Sequence, residues 1–195
     1  MTTAETHYRT HLGPVYSWML GDLDAAFARG AAEIDDLPLP ASGGTAVDLG
    51  AGLGLHALGL AKRGFDVVAI DSCQSLLDEL QSRARSLRIA VHHADLVDFR
   101  RFFPGQAQVI VCMGDTLTHL PALPAVESLQ YGDHHVTVRD LLHERADGRW
   151  RQTVSSYPKL RLAPEWVMSK LSELGLRVTR DATPSGMARI VATKN

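Results

Sequence analysis

The chain has 195 residues, 45% of them hydrophobic and 22% charged, which fits one soluble globular domain. A net charge of −2 gives no general attraction to a phosphate backbone, so no nucleic-acid partner is expected. No apolar run approaches the roughly 20 residues that span a bilayer, and the first residues lack the apolar core of a secretion signal. Cys73 and Cys112 are too few for a disulfide framework and are not spaced as a metal knuckle. The adjacent histidine pair His92-His93 points to opposite faces of a strand and cannot chelate together. A cytoplasmic protein without a metal is the expectation.

In chain order, residues 1–40 form a helical cap. Tyr16, Met19, Leu20, Leu23, Ala26 and Phe27 recur at steps of three and four, with an interruption near Gly21. Tyr8, Tyr16 and Trp18 concentrate aromatic and polar tips there, as a helix packed on a sheet edge or as a lid over a ligand. Thr45 to Asp71 then reads as a buried strand, a glycine-rich turn (Gly50, Gly52, Gly54), a helix stopped at Gly64, and a second strand. Ser72 is the expected N-cap of the next helix, whose face of Leu76, Leu77, Leu80, Ala84 and Leu87 runs to about Arg88. A strand at Ile89–His92 leads to Asp95 at the carboxyl edge, where ligands bind in open parallel sheets and where Asp also caps turns. Ala107–Cys112 is the most apolar strand and is expected at the centre of the sheet.

The second half changes character. Val136–Leu142 and Arg149–Ser155 alternate around Ala146-Asp147-Gly148, which predicts an antiparallel hairpin, with Tyr157–Leu162 as a third strand. Pro164 starts a helix through Leu174, with Val167, Leu171 and Leu174 inward, and Leu176–Thr179 and Ala188–Thr193 complete the chain as strands. The expected fold is therefore α/β, a Rossmann-like doubly wound and mostly parallel sheet with an antiparallel C-terminal part. It is one domain, 1–195: a cap at 1–40, a binding core at 45–120, a hairpin at 133–162, and a C-terminal helix and strands at 163–195.

The turn reads G-x-G-x-G, with Leu55 where a dinucleotide site has its third glycine. Asp48 inside the strand is unhelpful beside a pyrophosphate but useful beside a cation, and Asp71 stands where such folds place a carboxylate for ribose hydroxyls. VDLGAGLG at 47–54, AID at 69–71, HADLVDF at 93–99 and VIVCMGDTLTHL at 109–120 resemble the successive motifs of class I S-adenosylmethionine-dependent methyltransferases, small-molecule branch. The resemblance implies that Gly50, Ala51, Gly52 and Gly54 cradle the methionine part of the cofactor, with Asp48 near its amino group. It implies that Asp71 and Ser72 hold the ribose, Asp95 the adenine amino group with Leu96 against the ring, and that Cys112 and Met113 line the cavity beside the sulfonium. The product is then S-adenosylhomocysteine.

An in-line displacement needs alignment and exclusion of water, not a nucleophile triad. Asp115 and His119 are the candidate bases for an acceptor that sheds a proton, although a histidine at a helix end is often merely satisfied there. Tyr8, Tyr16, Trp18, Tyr157 and Arg161 are the candidate substrate contacts. The expected partner is a small molecule, and a homodimer is left open. One departure stands out: Thr116 to Gly132 holds no crossover helix and no buried fifth strand, and Ala125–Leu129 suffices for little more than a helical turn. The central fifth strand and its helix are expected to be shortened or missing. A non-catalytic or impaired S-adenosylmethionine-binding module with a lost substrate wall is the alternative to an enzyme.

Overall fold

The computed structural model describes residues 3–41, 43–103, 105–120 and 135–194. They fall into two compact units, Met1–Thr116 with Thr137–Pro158, and Leu117–Val136 with Lys159–Asn195.

The first unit begins with α1 (Ala4–His7), capped by the Thr3 hydroxyl, which accepts the Thr6 N–H. The helix continues through one π-type turn at Tyr8–Leu12 and a 3₁₀ turn to α2 (Tyr16–Leu20). Gly21, at φ 70°, ends it, and Asp22 accepts the Ala25 N–H to start α3 (Leu23–Asp35). The break expected near Gly21 is there because the chain needs a left-handed residue between two helices.

Four strands build the parallel sheet: β1 (Thr45–Leu49), β2 (Asp66–Asp71), β3 (Ile89–His93) and β4 (Val109–Val111), in the order β3-β2-β1-β4. The crossovers β1–α4 (Leu55–Lys62)–β2 and β2–α5 (Gln74–Arg83)–β3 carry the order to one side, and β4 returns to the other side of β1. This puts the topological switch at the carboxyl ends of β1 and β4, where a crevice opens in folds of this kind. On one sheet face Ala46, Val67, Ala69, Val109 and Val111 pack with Ile34, Leu58, Leu60, Leu77 and Leu80. The other face, Val47, Val68 and Ile70, is met by Phe99, Phe102 and Phe103 around the 3₁₀ turn Leu96–Arg101. Burial on both faces explains why β1 and β2 read as apolar runs rather than alternating ones. Each fully covered Leu, Ile or Phe stabilises the core by about 1.5–3 kcal/mol.

β5 (His135–Ala146) and β6 (Arg149–Leu160) form a separate two-stranded sheet. Asp147 and Gly148, both at positive φ, make the tight turn that right-twisted hairpin strands require. In the second unit, α6 (Pro164–Glu173) packs on the antiparallel pair β7 (Arg177–Ala182) and β8 (Ala188–Thr193).

Several expectations need correction. Residues 107–112 supply only the three-residue β4, at the edge of the sheet among the described residues, and Ile110 is half exposed. No fifth strand pairs with it among those residues, so nothing there makes it central; the expected helical turn at Ala125–Leu129 lies outside them. α5 starts at Gln74 behind Cys73 rather than Ser72, because Asp71, not Ser72, receives the Cys73 N–H, and it stops at Arg83. Tyr157–Leu160 is the continuation of β6, not a third strand. Leu174 is exposed, since α6 has already ended one residue before it.

Candidate active site at the sheet switch point

The glycine turn follows β1 directly. Gly50 and Ala51 donate their N–H groups to the Ile70 carbonyl at 2.9 and 3.0 Å, which binds the turn to the end of β2. Gly50, Gly52 and Gly54 sit at φ 78°, 52° and 91°. A Cβ on Gly50 would stand 2.3 Å from the Thr116 methyl, and one on Gly54 would stand 2.3 Å from Leu80 Cδ1. Conformation and space therefore demand glycine at both positions.

Two carboxylates frame this turn. Asp71 accepts from Gly52 N–H and Cys73 N–H, each at 2.8 Å and one per oxygen, leaving lone pairs on both oxygens for further donors. Burial raises its pKa against these backbone bonds. Asp48, in the middle of β1, is 1% exposed, and its Oδ2 has no hydrogen-bond partner. Burial pushes its carboxyl up to about 6, partly offset by nearby His56 and by the Ala57 backbone N–H. Cys112, just past β4, is pushed up to about 12 by burial and by the charge of Asp48. A buried carboxylate oxygen without a donor is costly and is relieved by a cation or a donor brought by a ligand.

The N-terminal helices and the hairpin add a second wall. Tyr8 and Tyr16 have ring centroids 6.1 Å apart. Burial raises both phenols, and the charges of Asp115 and Asp71 raise them further. Tyr157, 3% exposed, is raised to about 12 by burial, then by Asp115, Asp140 and Tyr16. Tyr8, Tyr16, Tyr157, Asp71 and Asp115 are thus brought together from four separate stretches. Thr116 closes the arrangement beneath Gly50 and donates its hydroxyl to the Met113 carbonyl at 2.9 Å.

Other predicted residues stand differently. Trp18 is 75% exposed. Asp95 is exposed and accepts the Val97 N–H at 3.1 Å as cap of the 3₁₀ turn that Leu96 opens. Ser72, Cys112 and Met113 are half-buried at the carboxyl edge. His119, half-buried, and Arg161, exposed, belong to the second unit. Nothing in the local sequence marked His7, which is 0% exposed and bonded to Ser155 and Asp140. The available signal was the alternation of β6, which sets Ser155 on the same face as Tyr157. Among the described residues no cluster of three metal-ligating side chains exists, and no helix is long and apolar enough to cross a membrane.

Comparison with known proteins agrees with the architecture. Residues 46–145 match the family model described as a methyltransferase domain. A glycine/sarcosine N-methyltransferase of Parasynechococcus marenigrum (strain WH8102) is 30% identical over 76 residues, 38% of this chain. That match spans only 27% of the relative's length. The crystal structure of Streptomyces venezuelae DesVI superposes with a TM-score of 0.68 at 17% identity, covering 96% of this chain and all of that one. CalS10, an amino pentose methyltransferase from Micromonospora echinaspora, superposes with a TM-score of 0.59 at 16% identity, over 88% of this chain and 91% of that one. The glycine turn at the switch point, the Rossmann-like sheet around it and the matched 46–145 segment together place this chain in the methyltransferase domain family.

Proposed function

We propose that the chain transfers a methyl group from S-adenosylmethionine to a small-molecule acceptor. The observation that carries this is the orphaned Asp48 Oδ2, buried beside a turn of three positive-φ glycines and 23 residues ahead of Asp71, which keeps acceptor capacity free. A ligand with an ammonium at one end and vicinal hydroxyls at the other fits these residues, and S-adenosylmethionine is such a ligand. Bound there, it supplies an activated methyl group. Gly50, Ala51, Gly52 and Gly54 let the backbone approach the methionine part, Asp48 meets the ammonium, and Asp71 with Ser72 takes the ribose hydroxyls. Asp95 and Leu96 serve the adenine, while Cys112 and Met113 border the sulfur.

Tyr8, Tyr16 and Tyr157 hold the acceptor and exclude water, with Trp18 as an outer contact, and Asp115 is the candidate base. An amine is the favoured acceptor class: the similar proteins named above include an enzyme of glycine and sarcosine and one of an amino pentose. In this reading the protein is cytoplasmic, has no nucleic-acid partner and is compatible with a homodimer. Calorimetry with S-adenosylhomocysteine and with NAD, followed by methyl transfer to glycine, sarcosine and amino sugars, tests it. Binding of the first alone, with turnover of an amine, is expected. Binding of NAD instead would sink the reading, and cofactor binding without turnover on a broad panel would leave a binding module.

A further inference from the structure

We infer that Ser155, His7 and Asp140 form a proton relay on the acceptor side of the site, taking up the proton an amine sheds once it is methylated. The inference rests on the methyl-transfer reading above. His7 is fully buried and bonded at both ring nitrogens: Nε2 lies 2.7 Å from Asp140 Oδ2, and Nδ1 lies 2.6 Å from Ser155 Oγ. An ionised carboxylate can only accept, so Nε2 carries the hydrogen and Nδ1 is bare. Ser155 then donates its hydroxyl proton to Nδ1, and its oxygen lone pairs remain for another donor.

Ser155 is only half-buried, and it shares its strand face with Tyr157, whose ring lies 4.4 Å from the His7 ring centroid to centroid. Tyr157 in turn stands close enough to Tyr16 and Asp115 to feel both. The relay thus opens through Ser155 onto the tyrosine wall.

The proton balance closes. A primary or secondary amine that gains a methyl group becomes an ammonium with one surplus proton. That proton passes to Ser155 Oγ while the Ser155 proton passes to His7 Nδ1. The amine is left neutral, and the resulting imidazolium donates to Ser155 on one side and to the Asp140 carboxylate on the other. No hydrogen bond is lost in either state, which is what a proton acceptor needs and a static brace does not. The titratable groups facing the ring are Asp140 on β5, Tyr157 on β6, and His11 and Tyr8 on its own helical segment. Burial lowers the His7 pKa against the pull of Asp140, so the ring is neutral and ready to accept near neutral pH.

Nitrogen-15 NMR of the histidine-labelled full chain tests the first link without any acceptor. A bare Nδ1 and a protonated Nε2 at His7 are expected, and the reverse tautomer would overturn the relay. His7→Gln offers an N–H donor towards Asp140 and an oxygen acceptor towards Ser155 but cannot take up a proton. It should bind S-adenosylhomocysteine within about twofold of the parent while kcat for methylation of sarcosine or an amino sugar falls about 10²-fold. Ser155→Ala should show the same split, and the acidic limb of the kcat–pH profile should disappear in both. A His7→Gln variant with parental kcat and pH profile would overturn the relay alone. A parent that binds no S-adenosylhomocysteine would overturn the methyl-transfer reading with it. If none of the panel is methylated, the tautomer decides.

Discussion

The glycine turn and the tyrosine wall both border Asp71 but are held in opposite ways. The turn lies within one run of 27 residues, Thr45 to Asp71, and its shape is imposed by backbone: three left-handed glycines and N–H bonds to Ile70 and Asp71. The wall is imposed by side chains from Tyr8 to Tyr157, and its closest links are polar, through His7. A backbone-built site tolerates almost no added atom. A side-chain-built site tolerates substitution and can be reshaped for a different acceptor, which suits a family whose members methylate different molecules.

The contrast can be attacked most sharply at Gly50. Gly50→Ala adds a Cβ at φ 78° against the Thr116 methyl and should cost about 2–3 kcal/mol of stability, with S-adenosylhomocysteine binding abolished in calorimetry. Thr116→Ala in the same chain should restore part of the stability, since it removes the clash but not the backbone strain.

Asp48 gives the next largest effect. Its folded pKa, about 6, lies above the ordinary carboxylate value, so the folded state binds the proton more tightly and this contribution to stability falls as pH rises from about 4 to about 6. The loss is about 3 kcal/mol, and urea titrations across that range in the ligand-free protein should show it. Asp48→Asn should flatten the slope, raise ligand-free stability at pH 7, and weaken S-adenosylmethionine binding by about tenfold or more. Ligand-free stability unchanged by Asp48→Asn would mean that the orphaned oxygen carries no cost.

On the wall, Tyr16→Phe removes a hydroxyl and keeps the ring. It should leave the unfolding free energy from urea titration within about 0.5–1 kcal/mol of the parent and raise KM for the acceptor severalfold, with cofactor affinity unchanged. A loss of cofactor affinity instead would move Tyr16 from the wall to the turn. Trp18→Ala is the smallest: at 75% exposure it should change stability by no more than about 0.5 kcal/mol, and an effect on acceptor KM would be its only signature.

The turn was legible in the sequence because its physics is local. Glycine spacing, the acid in β1 and the acid ending β2 all lie within one strand–helix–strand unit. The wall was legible only in part. Tyr8, Tyr16 and Tyr157 could be singled out as aromatic residues near the cap and the hairpin, but their convergence depends on contacts between stretches more than 100 residues apart. His7 left no local trace at all, since a histidine inside a four-residue helix looks like any solvated polar residue. β4 was misplaced for the converse reason: its apolar composition is that of a central strand, while its position depends on which strand comes next. The misassigned helix start shows the same limit on a small scale, with Asp71 rather than Ser72 receiving the backbone donor.

The bond between His7 and Ser155 spans 148 positions of the chain. As the polypeptide leaves the ribosome, β1, α4 and β2 can close on one another from adjacent segments, whereas His7 emerges 148 positions ahead of Ser155. Local contacts thus favour the glycine turn before the tyrosine wall. Closing the hairpin on the N-terminal helices carries the larger loop-closure entropy of the two steps.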